Sequence, residues 1–191
     1  MIKLNSIFFK MLRIKKSSKS IFTALMKDFH PERETCPCCG SAGNMKIHCY
    51  YGRSLTDFID GRPVDNEVTV LRLVCNSCRH TSAVLPDIII PYETHSLFFV
   101  MRVLAEYYLN IMTVEKLCER FSITVRRLYQ WIRKFLDNKE LWLGIVSDME
   151  ISEICFLKRL VTMPQFSLFL SQFNSKAGAS FMQTHAGPPY Y

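Results

Sequence analysis

Apolar and polar positions change period along this chain. Across residues 35–86 short apolar stretches interleave with polar ones and predict strands: 45–55, 68–74 and a shorter one at 81–85. In the second, Val68 and Val70, then Leu71 and Leu73, sit among polar neighbours. Asp60, Gly61, Arg62 and Pro63 supply turn chemistry between the first two, because Gly tolerates positive φ and Pro stops a ladder. From Ser96 the period becomes helical. Leu97, Val100, Met101, Leu104, Tyr107, Tyr108 and Ile111 recur at three- and four-residue steps and predict the apolar face of a helix. A shorter helical tendency covers 20–29 and ends before Pro31. Beyond residue 140, Leu141, Ile145, Met149, Ile154 and Leu157 predict one or two more helices before an aromatic, then Ala/Gly/Pro-rich tail.

The expected fold class is therefore α+β; with two Cys-x-x-Cys turns, Cys36/Cys39 and Cys75/Cys78, in the β region and the run from Thr113 to Arg133 in the helical one, the expectation is a small β zinc ribbon followed by a mainly helical helix-turn-helix domain. Four segments are expected: a basic N-terminal arm at 1–34, partly helical or disordered; the ribbon at 35–92; the helix-turn-helix domain at 93–140; and C-terminal helices with a flexible tail at 141–191.

Composition supports a packed core, with 49% hydrophobic residues in 191. The net charge of +7 is unevenly spread. Residues 1–34 hold eight Lys/Arg against three acids and 110–140 hold seven against four, whereas 35–95 hold five against six. A surplus so placed suits a polyanion-binding surface; solvated lysines are the bland reading of the arm. The arm mixes Ile7, Phe8, Phe9, Met11, Leu12 and Ile14 with five basic residues, so it lacks the unbroken apolar core of a signal sequence. A basic amphipathic helix on a surface is the other reading, and Met26 would make a natural start. The most apolar later stretch, 97–112, contains Arg102 and Glu106 and falls short of the roughly 20 residues a membrane span needs. The expectation is a soluble, cytoplasmic protein of a reducing compartment, without stable membrane insertion.

Candidate chemistry begins with the eight cysteines. Cys36 with Cys39, and Cys75 with Cys78, form two Cys-x-x-Cys turns, each of which can offer two thiolates to one side of a tetrahedral Zn²⁺. These four are the expected metal ligands. Gly40 suits the positive φ of the first turn, while Arg79 in the equivalent place predicts a less regular second one. Cys38 is expected to point away, and His48, Cys49 and His80 are substitute ligands of lower rank. Redox-active Cys-x-x-Cys pairs are the rival reading, but no thioredoxin-like βαβ pattern accompanies them. A centre of four thiolates leaves no open position for water, so the zinc is expected to be structural and the protein not an enzyme.

The run from Thr113 to Arg133 fits a DNA-reading pair of helices. Leu117, Phe121, Ile123, Leu128 and Trp131 fall at its buried positions, and Cys118 at the small residue where the helices approach. Ser122 stands where Gly is common, at a turn position that tends toward positive φ. Thr113 and Thr124 are the predicted N-caps. The second helix would aim Thr124, Arg126, Arg127 and Gln130 at base edges, with Tyr129 and Arg133 further along and Lys134 and Lys139 on phosphate. The expected partner is double-stranded DNA, with a homodimer as an additional expectation and no small-molecule substrate. A helical trio that packs only against the rest of the chain is the alternative.

The succession Cys36-Pro-Cys-Cys-Gly40, Val74-Cys-Asn-Ser-Cys78, Leu85-Pro-Asp-Ile-Ile-Ile-Pro-Tyr92, Thr113-Val-Glu-Lys-Leu-Cys-Glu-Arg-Phe121 and Leu128-Tyr-Gln-Trp-Ile132 resembles an uncharacterised bacterial family of zinc-ribbon plus helix-turn-helix proteins, domain of unknown function six-four-three-one. It is similar to the N-terminal DNA-binding region of insertion-sequence transposases. The resemblance covers roughly residues 34–140 and implies a transposase-like or regulator-like DNA-binding role, with no activity to carry over. Asp148, Glu150 and Glu153 are too closely spaced for the carboxylate trio of a transposase active site and read as solvent-facing charges. A truncated or accessory transposase remnant, or a protein-interaction module built on Phe166, Phe169, Phe173 and Phe181, are the competing readings.

Overall fold

A long antiparallel hairpin organises the chain. The computed structural model describes residues 2–4 and 17–138, together with Leu157, Phe173 and Met182; the helices and tail expected elsewhere beyond residue 140, like most of the arm before residue 17, lie outside the described residues. Among these, β1 (Ile2–Leu4), β2 (Met45–Ile59), β3 (Arg62–Cys75) and β4 (Thr81–Pro86) form a sheet in the order β1-β4-β3-β2. The pairs β2–β3 and β3–β4 are antiparallel, and β1 lies parallel to β4. The fold is α+β, as the residue pattern predicts.

The hairpin is longer than expected. It pairs Met45 with Cys75 at one end and Ile59 with Arg62 at the other, with a bulge between Ile47 and Cys49. Its turn is Asp60-Gly61, both at positive φ (50° and 81°), the conformation that matches the twist of the flanking strands. Pro63 does not stop the ladder but pairs with Phe58 inside it. It can do so because β4 reaches only Arg72–Val74, leaving β3 an edge at Pro63, where no N–H is required.

A helix, α1 (Ser18–Lys27), precedes the hairpin and is pinned to it. Ser17 caps it through Ser20 N, and the buried Asp57 carboxylate of β2 accepts the Ser18 N–H (2.7 Å) and the Ser18 hydroxyl. Its Ile21 and Phe22 are buried with Leu55, Val68, Val70, Leu85, Ile88 and Ile89. Met26 and Phe29 pack against a second cluster of Cys36, Met45, Leu71, Leu73, Cys75 and Val84. Val68 and Val70 lie on the opposite sheet face from Leu71, Leu73 and Cys75, so the sheet is buried on one face toward its tip and on the other toward its cysteines.

Three helices follow: α2 (Leu97–Tyr108), α3 (Val114–Phe121) and α4 (Val125–Asp137). α2 ends before the expected Ile111, which is exposed, because the chain turns at Asn110 with φ 49°. Leu97, Val100, Met101, Leu104, Leu117, Phe121, Leu128, Trp131 and Phe135 build one buried core, joined by Leu157, Phe173 and Met182. Phe58 of β2 enters this core, its ring 4.3 Å from that of Phe121 and 6.2 Å from that of Phe99. No helix among the described residues is long and apolar enough to cross a membrane.

Candidate metal centre and exposed basic helix

The two Cys-x-x-Cys turns are backbone copies of each other. In the first, Gly40 N donates to Cys36 O (3.0 Å) and Cys36 N to Ser41 O (2.9 Å). In the second, Arg79 N donates to Cys75 O (2.9 Å) and Cys75 N to His80 O (2.9 Å). Gly40 and Arg79 both take left-handed backbone, at φ 71° and 63°. The irregularity expected of Arg79 is thus absent: the side chain accepts a conformation that Gly adopts without strain. Ser41 and Ser77 (Oγ···Oγ 3.1 Å), with Asn76 N donating to Asn44 O (2.9 Å), hold the turns face to face.

This arrangement brings the sulfurs of Cys36, Cys39, Cys75 and Cys78 within 4.8 Å of one another. The Cys36–Cys78 and Cys39–Cys75 separations are 3.6 and 3.8 Å. A tetrahedron with metal–sulfur bonds of about 2.3 Å has edges of about 3.8 Å, so the four could hold a metal ion of zinc's size. Cys38, Cys49, His48 and His80 lie outside the group.

Backbone amides tune the sulfurs. N–H groups of Cys78 and Ser77 draw the Cys75 thiol down to about 6 against the effect of burial, and those of Cys39 and Cys38 lower Cys36 in the same way. Cys78 receives the His80 N–H, yet burial and the neighbouring thiols push it up to about 12; Cys39 is likewise raised. Four crowded thiols cannot all ionise unaided, which is the electrostatic condition a bound cation relieves.

The second feature is α4. α3 closes in a Schellman motif, with Ser122 at φ 52°, Ser122 N donating to Glu119 O and Ile123 N to Cys118 O (3.0 Å). Thr124 then caps α4 through Arg127 N (3.2 Å), and Thr113 caps α3 through Lys116 N. Leu128, Trp131, Ile132 and Phe135 are buried; Arg126, Gln130 and Arg133 form an exposed stripe at helical spacing, flanked by Tyr129. Lys134 is half-buried, and Thr124 is exposed. Arg127 departs from the stripe, its guanidinium standing 3.5 Å from Glu93.

Glu93, which the residue pattern does not single out, lies in the turn between sheet and helices. Its buried carboxylate accepts from Trp131 Nε1 (3.0 Å), Thr94 N (3.2 Å) and Arg127, and meets His95 Nδ1 (3.2 Å). Burial works to raise its pKa, but the His95 and Trp131 bonds and the Arg127 charge prevail and hold it at about 2. Arg53 of β2 fastens the same turn through Ile90 O (2.6 Å) and Glu93 O (2.8 Å).

Residues 36–128 match the family model of a domain of unknown function, DUF6431. The matched stretch runs from Cys36 to Leu128 in α4, so it takes in both sulfur pairs, Glu93 and the Thr124 cap. Among curated proteins and among solved structures, none matches the chain.

Proposed function

We propose that the protein is a zinc-stabilised, sequence-specific DNA-binding protein, transposase-like or regulator-like, which reads the major groove with α4 and catalyses nothing itself. One observation carries this reading. α4 buries one face completely and presents Arg126, Gln130 and Arg133 with Tyr129 on the other, starting from a capped N-terminus. The succession of α3, the turn at Ser122 and the capped α4 supports a helix-turn-helix reading, in which the second helix enters the groove with its N-terminal residues on base edges. Arg126 and Gln130 suit bidentate contacts to guanine and adenine, each worth about 1–3 kcal/mol of discrimination. Thr124, Arg127, Arg133 and Lys134 suit phosphate and flanking contacts. In this reading Cys36, Cys39, Cys75 and Cys78 bind Zn²⁺, whose role is to fold the sheet end.

The test is selection of bound duplexes from a random pool, then a salt series on the winner. Affinity should fall steeply with salt. Arg126→Ala should relax base preference, whereas Arg127→Ala and Lys134→Ala should weaken all sequences alike. A pool with no enriched sequence, and affinity indifferent to Arg126 and Arg127, would overturn the reading.

A further inference from the structure

The cysteine half of the hairpin is exposed in an unusual way. Every residue from Lys46 to Gly52 is exposed, on both faces of β2, which is the sheet edge. On one of those faces the register aligns Lys46, Cys49 and Tyr51 of β2 with Arg72 of β3, and the Arg72 guanidinium lies 5.9 Å from the centre of the Tyr51 ring. Residues 35–56 and 68–86 contain Lys46, Arg53, Arg72 and Arg79 but neither Asp nor Glu, and the Glu67 carboxylate lies against Gly52 on the opposite face of the hairpin. A dication held by four thiolates would carry a net charge of about −2, which these four cations still exceed.

This patch is continuous with α4. Arg72 covers Tyr51; Tyr51 shares its face with Arg53, two residues on; Arg53 bonds Glu93 O at 2.8 Å; and the Glu93 carboxylate meets Arg127 of α4 at 3.5 Å. Tyr92 stands at the junction. It is 100% exposed and holds φ 61°, a left-handed backbone that a bulky residue rarely adopts. A fully exposed ring contributes no core packing, so the strain has no return in folding.

We infer that Lys46, Tyr51, Arg72 and Tyr92 form a second contact surface for the sugar-phosphate backbone of the same DNA duplex that α4 engages. This rests on the reading of α4 given above. The chemistry is that of phosphate recognition, with ammonium and guanidinium charges and phenolic O–H donors, which position a duplex without reading its sequence. From Tyr51 to Lys46 the strand covers roughly 15 Å at about 3.3 Å per residue. That length matches about 4–5 base pairs at 3.4 Å each along one strand.

The experiment uses the full zinc-loaded chain and a 30-base-pair duplex carrying the sequence it selects, with Kd followed through a salt series and the complex mapped by hydroxyl-radical footprinting, the duplex length being roughly three helical turns. Lys46→Ala with Arg72→Ala should weaken binding about tenfold at low salt, lower the salt slope by about 2 and shorten the footprint on one side, while base preference and zinc content stay unchanged. Tyr92→Gly relieves the backbone strain, so it should weaken binding without loss of stability. Unchanged affinity, slope and footprint in these variants, with base preference still lost in Arg126→Ala, would overturn this inference and leave the reading of α4 intact. A wild-type chain that binds no duplex would overturn both.

Discussion

Trp131 Nε1 donates to Glu93 Oε2 across 3.0 Å, joining α4 to the turn that leaves the sheet. The bond matters because Glu93 is buried and ionised. Its partners come from three places: Trp131 and Arg127 on α4, His95 in the turn itself, and Arg53 on β2 through the neighbouring carbonyl. A carboxylate removed from that position leaves several donors without an acceptor.

Glu93→Gln should therefore destabilise the protein by about 1–3 kcal/mol near neutral pH, the scale of hydrogen bonds to a charged group. The folded-state pKa of Glu93 lies near 2, below its ordinary value of 4.5. Its contribution is thus present above pH 4.5 and is lost as pH falls toward 2. Chemical denaturation of both proteins across that window should show their difference shrinking with acid; a constant difference would contradict the assignment.

The metal centre makes a second prediction. The chain should purify with one zinc, and Cys75→Ser with Cys78→Ser should abolish it. Because Cys78 sits near 12 before a cation arrives, uptake must displace protons, and zinc affinity should fall as pH falls. Competition with a chromophoric chelator at several pH values measures this. Hydrogen exchange of the stripped protein should rise first around Met45, Leu71, Leu73 and Val84, which pack against Cys36 and Cys75.

Ser122 and Thr124 offer a paired test. Ser122 occupies left-handed backbone, so Ser122→Gly should stabilise by up to about 1 kcal/mol, the strain relieved exceeding the added freedom of the unfolded chain. Thr124→Ala removes the cap of α4 and should cost about 1 kcal/mol. Urea midpoints decide both, and a destabilising Ser122→Gly would refute the strain argument.

The residues that were legible are those whose chemistry is local. Cysteine spacing, the Thr113 and Thr124 caps, the apolar face of α2 and positive φ at Gly40 and Ser122 all follow from short stretches of chain. The hairpin length did not: the predicted strands stop at 55 and begin again at 68, and the tip between them carries Asp57, Asp60, Gly61, Pro63, Asp65, Asn66 and Glu67, residues that read as turn rather than strand. The equivalence of the two knuckles was hidden by Arg79, whose backbone conformation its residue type disfavours. Glu93 was invisible for a different reason: its four contacts involve residues up to 38 positions away, and an isolated glutamate in a turn ordinarily faces water. Tyr51 and Arg72 become neighbours only once β2 and β3 are in register.

Phe58 carries a last consequence. Its ring, from the sheet, fills space between Phe99 and Phe121 of the helices, while Arg120 lies over its outer side. The helical trio therefore borrows part of its interior from a strand more than 30 residues earlier. It is not a transplantable module: a fragment of residues 93–140 would carry an open socket where Phe58 belongs. Fusing that fragment to another protein would move the helix and leave behind the wedge that sets its angle.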